Sequence, residues 1–116
     1  MQSIYNQANE LVAYQYQNLI LHPENYSVLG LVLGNCVFNK DAKVLGKLFH
    51  QKVHDLSGQV LAIRDDNTLP LPNGFEPDEC IIQGWQILIN IKDHTCPWVT
   101  EKETWSETSF AQLLYN

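Results

Sequence analysis

Positive charge is nearly missing from the second part of this chain. Between Asp65 and Asn116 only Lys92 and Lys102 stand against nine acids, whereas Met1 to Arg64 holds five bases and four acids. The two parts therefore carry −7 and +1, which together give the net −6 of the whole. Seven bases cannot spread a broad positive surface over a phosphate backbone, so nucleic acid is excluded as a partner, and an anionic lipid surface is opposed on the same ground. A concentrated negative field instead steers encounter with cationic proteins.

Other absences narrow the class. No uninterrupted apolar run is long enough to span a bilayer, and the first residues, Met1-Gln2-Ser3-Ile4-Tyr5, lack the charged and apolar blocks of a secretory leader, so a soluble cytoplasmic protein without a membrane is expected. Cysteine is sparse: Cys36, Cys80 and Cys96 are odd in number and widely spaced, which predicts buried free thiols in a reducing compartment. No tract of low complexity, linker or internal repeat stands out. What is present, 116 residues with 45% hydrophobic content and Trp85, Trp98 and Trp105, suffices for one domain, 1–116, around one core.

The periodicities predict an α+β domain. Ile4, Ala8, Leu11, Val12 and Leu19 recur at helical spacing across 3–21, where the amide-rich polar side carries Glu10 as its single charge; His22-Pro23 ends the run. Residues 26–38 fit a helical stripe through Leu29, Val32, Leu33, Cys36 and Val37, or a strand with Leu29, Leu31 and Leu33 on one side; thirteen residues favour the helix. The third helix spans 41–56 on Leu45, Leu48, Phe49, Val53 and Leu56. Alternation then predicts a small antiparallel sheet over 59–64, 80–92 and 98–105, with Gln83-Gly84 as a bulge and Ser106 capping a short C-terminal helix. Leu48, Phe49, Trp85, Ile87 and Ile89 are expected deep in the core.

No motif for chemistry is complete. His50 and His54, four apart on the expected third helix, would share a face as metal ligands do, but no third ligand is identifiable, so no metal and no cofactor are expected. His94-Thr95-Cys96 sets a base near a thiol, although such pairs are normally assembled by the fold from distant positions. The acids Asp65, Asp66, Glu76, Asp78 and Glu79 lack the spacing of a calcium loop. They lie in or beside a fifteen-residue connection, Asp65 to Glu79, that includes Leu69-Pro70-Leu71-Pro72, a length commonly given to function or mobility. The pattern points to a small acidic interaction module, of inhibitor or toxin-immunity type, that docks on a basic protein. Asp65, Asp66, Leu69, Leu71, Glu76, Asp78, Glu79, Trp98 and Trp105 are its expected contact residues, acids steering and apolar groups anchoring. The strip of Lys40, Lys43 and Lys47 leaves a homodimer, basic strip to acidic half, as a second arrangement. The other class is a small ligand-binding domain or enzyme whose pocket is lined by aromatics. An enclosed pocket with converging polar groups would favour it, and an exposed acidic face with aromatics would favour docking.

Overall fold

A computed structural model of the protein describes residues 1–91 and 97–115. Its frame is a closed barrel of eight antiparallel strands in sequence order: β1 Gln2–Tyr5, β2 Leu11–Tyr16, β3 Leu19–Leu21, β4 Val28–Leu33, β5 Cys36–Asn39, β6 Val44–Phe49, β7 Lys52–Asp55 and β8 Val60–Arg64, with β8 pairing back onto β1. Two short helices follow, α1 Pro77–Leu88 and α2 Phe110–Tyr115. This overturns the α+β expectation. The expected helices over 3–21, 26–38 and 41–56 are hairpins, 80–92 is largely helix, and 98–105 is irregular chain with one bridge, Trp105 to Val60. Only the strand at 59–64 and the terminal helix have counterparts, in β8 and α2. Among the described residues no helix is long and apolar enough to cross a membrane.

The barrel is built from one device used four times. Asn6, His22, Asn39 and Asp55, spaced 16 or 17 residues apart, each open a turn between strands. In three of them the side-chain oxygen accepts the N–H four residues on (Asn6 from Glu10, Asn39 from Lys43, Asp55 from Gln59, at 2.9–3.0 Å), and in the fourth His22 Nδ1 accepts the N–H of Glu24 at 3.0 Å. One residue in each turn, Asn9, Tyr26, Ala42 or Gly58, has positive φ. The strand that follows begins Leu11-Val12-Ala13, Val28-Leu29-Gly30, Val44-Leu45-Gly46 or Val60-Leu61-Ala62. At each of these the pairing register slips, so Val12, Leu29, Leu45 and Leu61 are the extra residues of four equivalent β-bulges. The chain therefore does contain an internal repeat. Its fourth hairpin is completed by β1, from the other end of the barrel sequence.

Each bulge brings two successive residues to the inside. Leu29, Leu45 and Leu61 are buried in the core, with Val12 packed against it, and the small residues behind them pair with Ile4, Ile20, Val37 and Val53. The small positions are sterically required: a Cβ on Gly30 would lie 2.1 Å from Phe38 O, and one on Gly46 would lie 1.8 Å from His54 O. An eight-stranded barrel is just wide enough for its side chains to fill, and this one is filled. Phe110 and Leu114 of α2 complete the core at the end where the longer turns lie. Because closure pairs every strand on both sides, no sheet edge is left open.

After Arg64 the chain wraps the outside of the barrel. Asp65 N–H bonds Ser3 O and Leu69 N–H bonds Met1 O beside β1; α1 then packs on β3 and β4; residues 100–106 follow the β7–β8 turn; and α2 closes the end. The expected burial of Leu48, Phe49, Trp85, Ile87 and Ile89 holds only for Ile87. Leu48 and Phe49 are half-buried, and Trp85 and Ile89 are exposed.

Candidate docking face

Helix α1 starts where proline permits it. Pro77 occupies the first turn, where its missing N–H costs nothing, and Asp78 and Glu79 there complement the positive end of the helix dipole. Its inner side is set by Cys80, Gly84 and Ile87, which lie against Leu19, Leu21, Val28 and Leu31 of β3 and β4. Gly84 is in contact rather than in a bulge: a Cβ there would stand 2.5 Å from Leu19 Cδ2. Gln83 Oε1 accepts the N–H of Val28 at 3.1 Å and fixes the helix on the wall.

The opposite side of α1 and its last turn shows three large apolar residues at helical spacing, Ile82 (60% exposed), Trp85 (59%) and Ile89 (72%). Beside them runs a shallow groove of 200 Å³ between helix and barrel, lined by Leu31, Leu33, Ile81 and Leu88 among others. Glu76, Asp78 and Glu79 stand at the N-terminal end of the same helix, and among the described residues none has a cationic partner. Glu76 raises the affinity of Glu79 for a proton, first through a hydrogen bond that needs that proton and then through repulsion, so the Glu79 pKa lies above its ordinary 4.5. Burial, followed by the charges of Glu79 and Glu76, pushes the Cys80 thiol up; it donates to Tyr26 O at 3.5 Å and is unsuited to act as a nucleophile.

The contact residues expected from sequence do not all meet. Glu76, Asp78 and Glu79 cluster on α1, and Leu69 and Leu71 are exposed on the approach to it. Asp66 is engaged by Arg64, Nε to Oδ1 at 3.0 Å, and Asp65 accepts the N–H of Asn67. Trp98, 88% exposed, lies by Lys47 of β6, whose Nζ is 6.0 Å from its ring centroid, and Trp105 lies against β8. These two tryptophans belong to a different wall from α1. Sequence reasoning had assigned Trp85 and Ile89 to the core and did not name Ile82; the signal that identifies them is Pro77-Asp78-Glu79, a helix start, ahead of apolar residues at 80, 84 and 87 that already supply a buried side.

The remaining candidates separate. His50 sits in the β6–β7 turn, exposed and 3.6 Å from Glu101, while His54 is buried in β7 with Nδ1 2.8 Å from Gly58 O, so the pair shares no face. Among the described residues no three His, Cys, Asp or Glu side chains converge as a metal site would require. His94 and Cys96 lie outside the described residues. Cys36 is disulfide-bonded, which corrects the expectation of free thiols at that position, whereas Cys80 is free and buried. No protein-family model, curated protein or solved structure matches this chain.

Proposed function

We propose that this protein is an acidic interaction module that docks on a basic partner protein through the outer face of α1, in the manner by which an inhibitor or immunity protein neutralises its target. The observation that carries the reading is the row Ile82, Trp85 and Ile89, exposed along the helix at whose start Glu76, Asp78 and Glu79 have no cationic partner among the described residues. Large apolar groups clustered in the open are costly to keep unless a partner covers them, and tryptophan surrounded by polar rim is the composition of an interface anchor. The −7 balance of residues 65–116 supplies the steering field. A pocket enzyme finds less support, because the barrel interior is filled and the groove beside α1 is open and shallow. A second copy is a poor occupant, since it would bring two chains of net charge −6 together.

The disulfide at Cys36 favours an oxidising compartment for the encounter, since such bonds persist there and are commonly reduced in the cytosol. The test is purification of the tagged chain from its host as wild type, Trp85→Glu and Trp98→Glu. A basic protein retained by wild type and Trp98→Glu, lost with Trp85→Glu and eluted by salt, is the expected result. Equal retention by all three variants would move the interface away from α1.

A further inference from the structure

Between the barrel and α1 the chain makes one isolated turn. Leu69 N–H is bonded to Met1 O at 2.7 Å, and the next described main-chain hydrogen bond, Phe75 N–H to Pro72 O at 3.2 Å, closes the turn Pro72-Asn73-Gly74-Phe75 on itself. Phe75 anchors the far end by meeting Tyr16 and Tyr26 edge-on, at centroid separations of 5.2 and 5.8 Å. The tip between these anchors, Asn73 and Gly74, is exposed. Gly74 has a φ of 81°, a conformation natural to glycine, and a Cβ built on it would meet nothing within 4 Å.

Asn73 is the one asparagine of the sequence that is followed by glycine. In such a pair the nitrogen of the second residue reaches the side-chain amide carbon of the first most easily, because no Cβ crowds the approach and the backbone is free to turn. The structure leaves both reacting groups unengaged: among the described residues the Asn73 side chain makes no hydrogen bond, and the Gly74 N–H has no acceptor. Other asparagines are held. Asn6 and Asn39 accept the N–H groups of Glu10 and Lys43, Asn25 accepts that of Ser27 at 2.9 Å, and Asn90 Nδ2 donates to Gln86 O at 3.0 Å.

We propose that Asn73 is a site of spontaneous covalent modification, where the folded chain ages from amide to carboxylate. The Gly74 nitrogen attacks Asn73 Cγ: the N–Cγ bond forms, the Cγ–Nδ2 bond breaks, and the proton shed by the Gly74 nitrogen leaves with Nδ2 as ammonia. Water then opens the cyclic imide. Hydrolysis of the new N–Cγ bond gives aspartate, and hydrolysis on the main-chain carbonyl side gives isoaspartate, in which the chain runs through the former side chain. Either product adds one negative charge, taking the net charge from −6 to −7. The charge arises just ahead of Glu76 and of the first turn of α1, which already holds Asp78 and Glu79. Modification therefore strengthens the field at the acidic end of α1, a consequence that rests on the docking reading, whereas the modification itself does not.

The full chain is incubated in warm, mildly alkaline buffer as wild type, Asn73→Gln and Gly74→Ala, beside a synthetic peptide of residues 70–76, and followed by ion-exchange chromatography and peptide mass spectrometry. Wild type should accumulate one acidic species, with aspartate and isoaspartate at position 73, at a rate within severalfold of the peptide. Asn73→Gln should not form it, and Gly74→Ala should form it severalfold more slowly because its Cβ crowds the attacking nitrogen. Conversion confined to the peptide, or spread evenly over other asparagines, would overturn the site. For the steering consequence, Asn73→Asp and aged wild type should associate with the co-purifying basic partner faster than fresh wild type at low ionic strength, and equally fast in high salt. If neutralising Glu76, Asp78 and Glu79 slows association while Asn73→Asp leaves it unchanged, the steering consequence alone is overturned. If neither alters the rate, the docking face is overturned, and the modification is decided by the mapping.

Discussion

Residues 1–64 and 65–116 solve opposite problems. The first part repeats one turn and one bulge until a closed barrel results, and nearly all of its large apolar side chains face inward or lie under the outer wrapping. The second part repeats nothing, makes few backbone pairs, and carries most of the charge together with most of the exposed large apolar residues. Regularity in the first part comes from packing, since four equivalent walls around a narrow interior each need a small residue in the same place. The irregularity of the second part is what such a scaffold permits, because a chain laid on a closed barrel is free of pairing constraints. Stability should therefore map to the repeat and binding to the wrapping.

The sharpest break in that division should come at the small positions. Gly46→Val places a branched side chain where even a Cβ would lie 1.8 Å from His54 O, and the barrel cannot move one backbone without moving its neighbour. We expect loss of more than about 4 kcal/mol, read as absence of a cooperative unfolding transition at room temperature. Trp85→Ala in the wrapping should shift stability by no more than about 0.5 kcal/mol. Comparable losses at the two sites would show that the helix, rather than the repeat, holds the fold.

Equivalence within the repeat gives the next test. Leu29→Ala, Leu45→Ala and Leu61→Ala each empty the same bulge position in a different unit, and each should cost about 2–5 kcal/mol in denaturant unfolding. The three values should agree within about 1 kcal/mol, since each truncation leaves the same kind of cavity in one core.

These bulges also explain why the fold was hard to read from the chain. A strand is recognised by alternation, but an inserted residue turns two neighbours inward and shifts the phase by one. In the unit from Asn39 to His54 the inward residues are Leu45, Gly46, Leu48 and Val53, and Leu45-Leu48-Val53 with Phe49 reads as a helical stripe. The turns conceal themselves as well. His50-Gln51, at φ of 52° and 67°, makes a tight hairpin turn without the glycine or asparagine that normally marks one. Gly34-Asn35 was a legible hairpin signal between two apolar runs, and so was the spacing of Asn6, His22, Asn39 and Asp55 once laid out in register. The acidity of the second part and the choice of Glu76, Asp78 and Glu79 were available from sequence because charge counts need no fold. Which tryptophan accompanies them was not, since that depends on α1 being a helix.

On the binding side, Trp85→Ala should weaken the complex with the co-purifying partner by about 2 kcal/mol or more, read as dissociation rate, because a large aromatic anchor at an interface centre contributes on that scale. Trp98→Ala, on the other wall, should change it by less than about 0.5 kcal/mol. Replacing Glu76, Asp78 and Glu79 with Gln, Asn and Gln should lower the association rate by roughly tenfold at low ionic strength and abolish most of its salt dependence.

The smallest effect separates the two parts by pH. For Asp55, partial burial raises the pKa, but hydrogen bonds from Ser57 Oγ, Gln59 N–H, the Ser106 side chain and Ser57 N–H outweigh it and hold the carboxyl below its ordinary 3.8. A depressed carboxylate contributes stability above its unfolded pKa and loses it as pH falls through the folded one, so the Asp55–Gln59 turn and its contact with Ser106 should loosen only in strong acid. Glu79 runs the other way. Its raised pKa means that the folded chain takes up a proton above pH 4.5, and the repulsion from Glu76 is present at neutral pH and relieved as pH falls through that range. A cationic partner stabilises both carboxylates, so binding should release a proton in mild acid, and the association rate should decline there without any fall in the unfolding midpoint of the barrel. Titration of the rate between neutrality and pH 4.5, with Glu79→Gln as the comparison, checks this. A decline that persists unchanged in Glu79→Gln would place the titrating group elsewhere and remove the Glu76–Glu79 pair from the docking face.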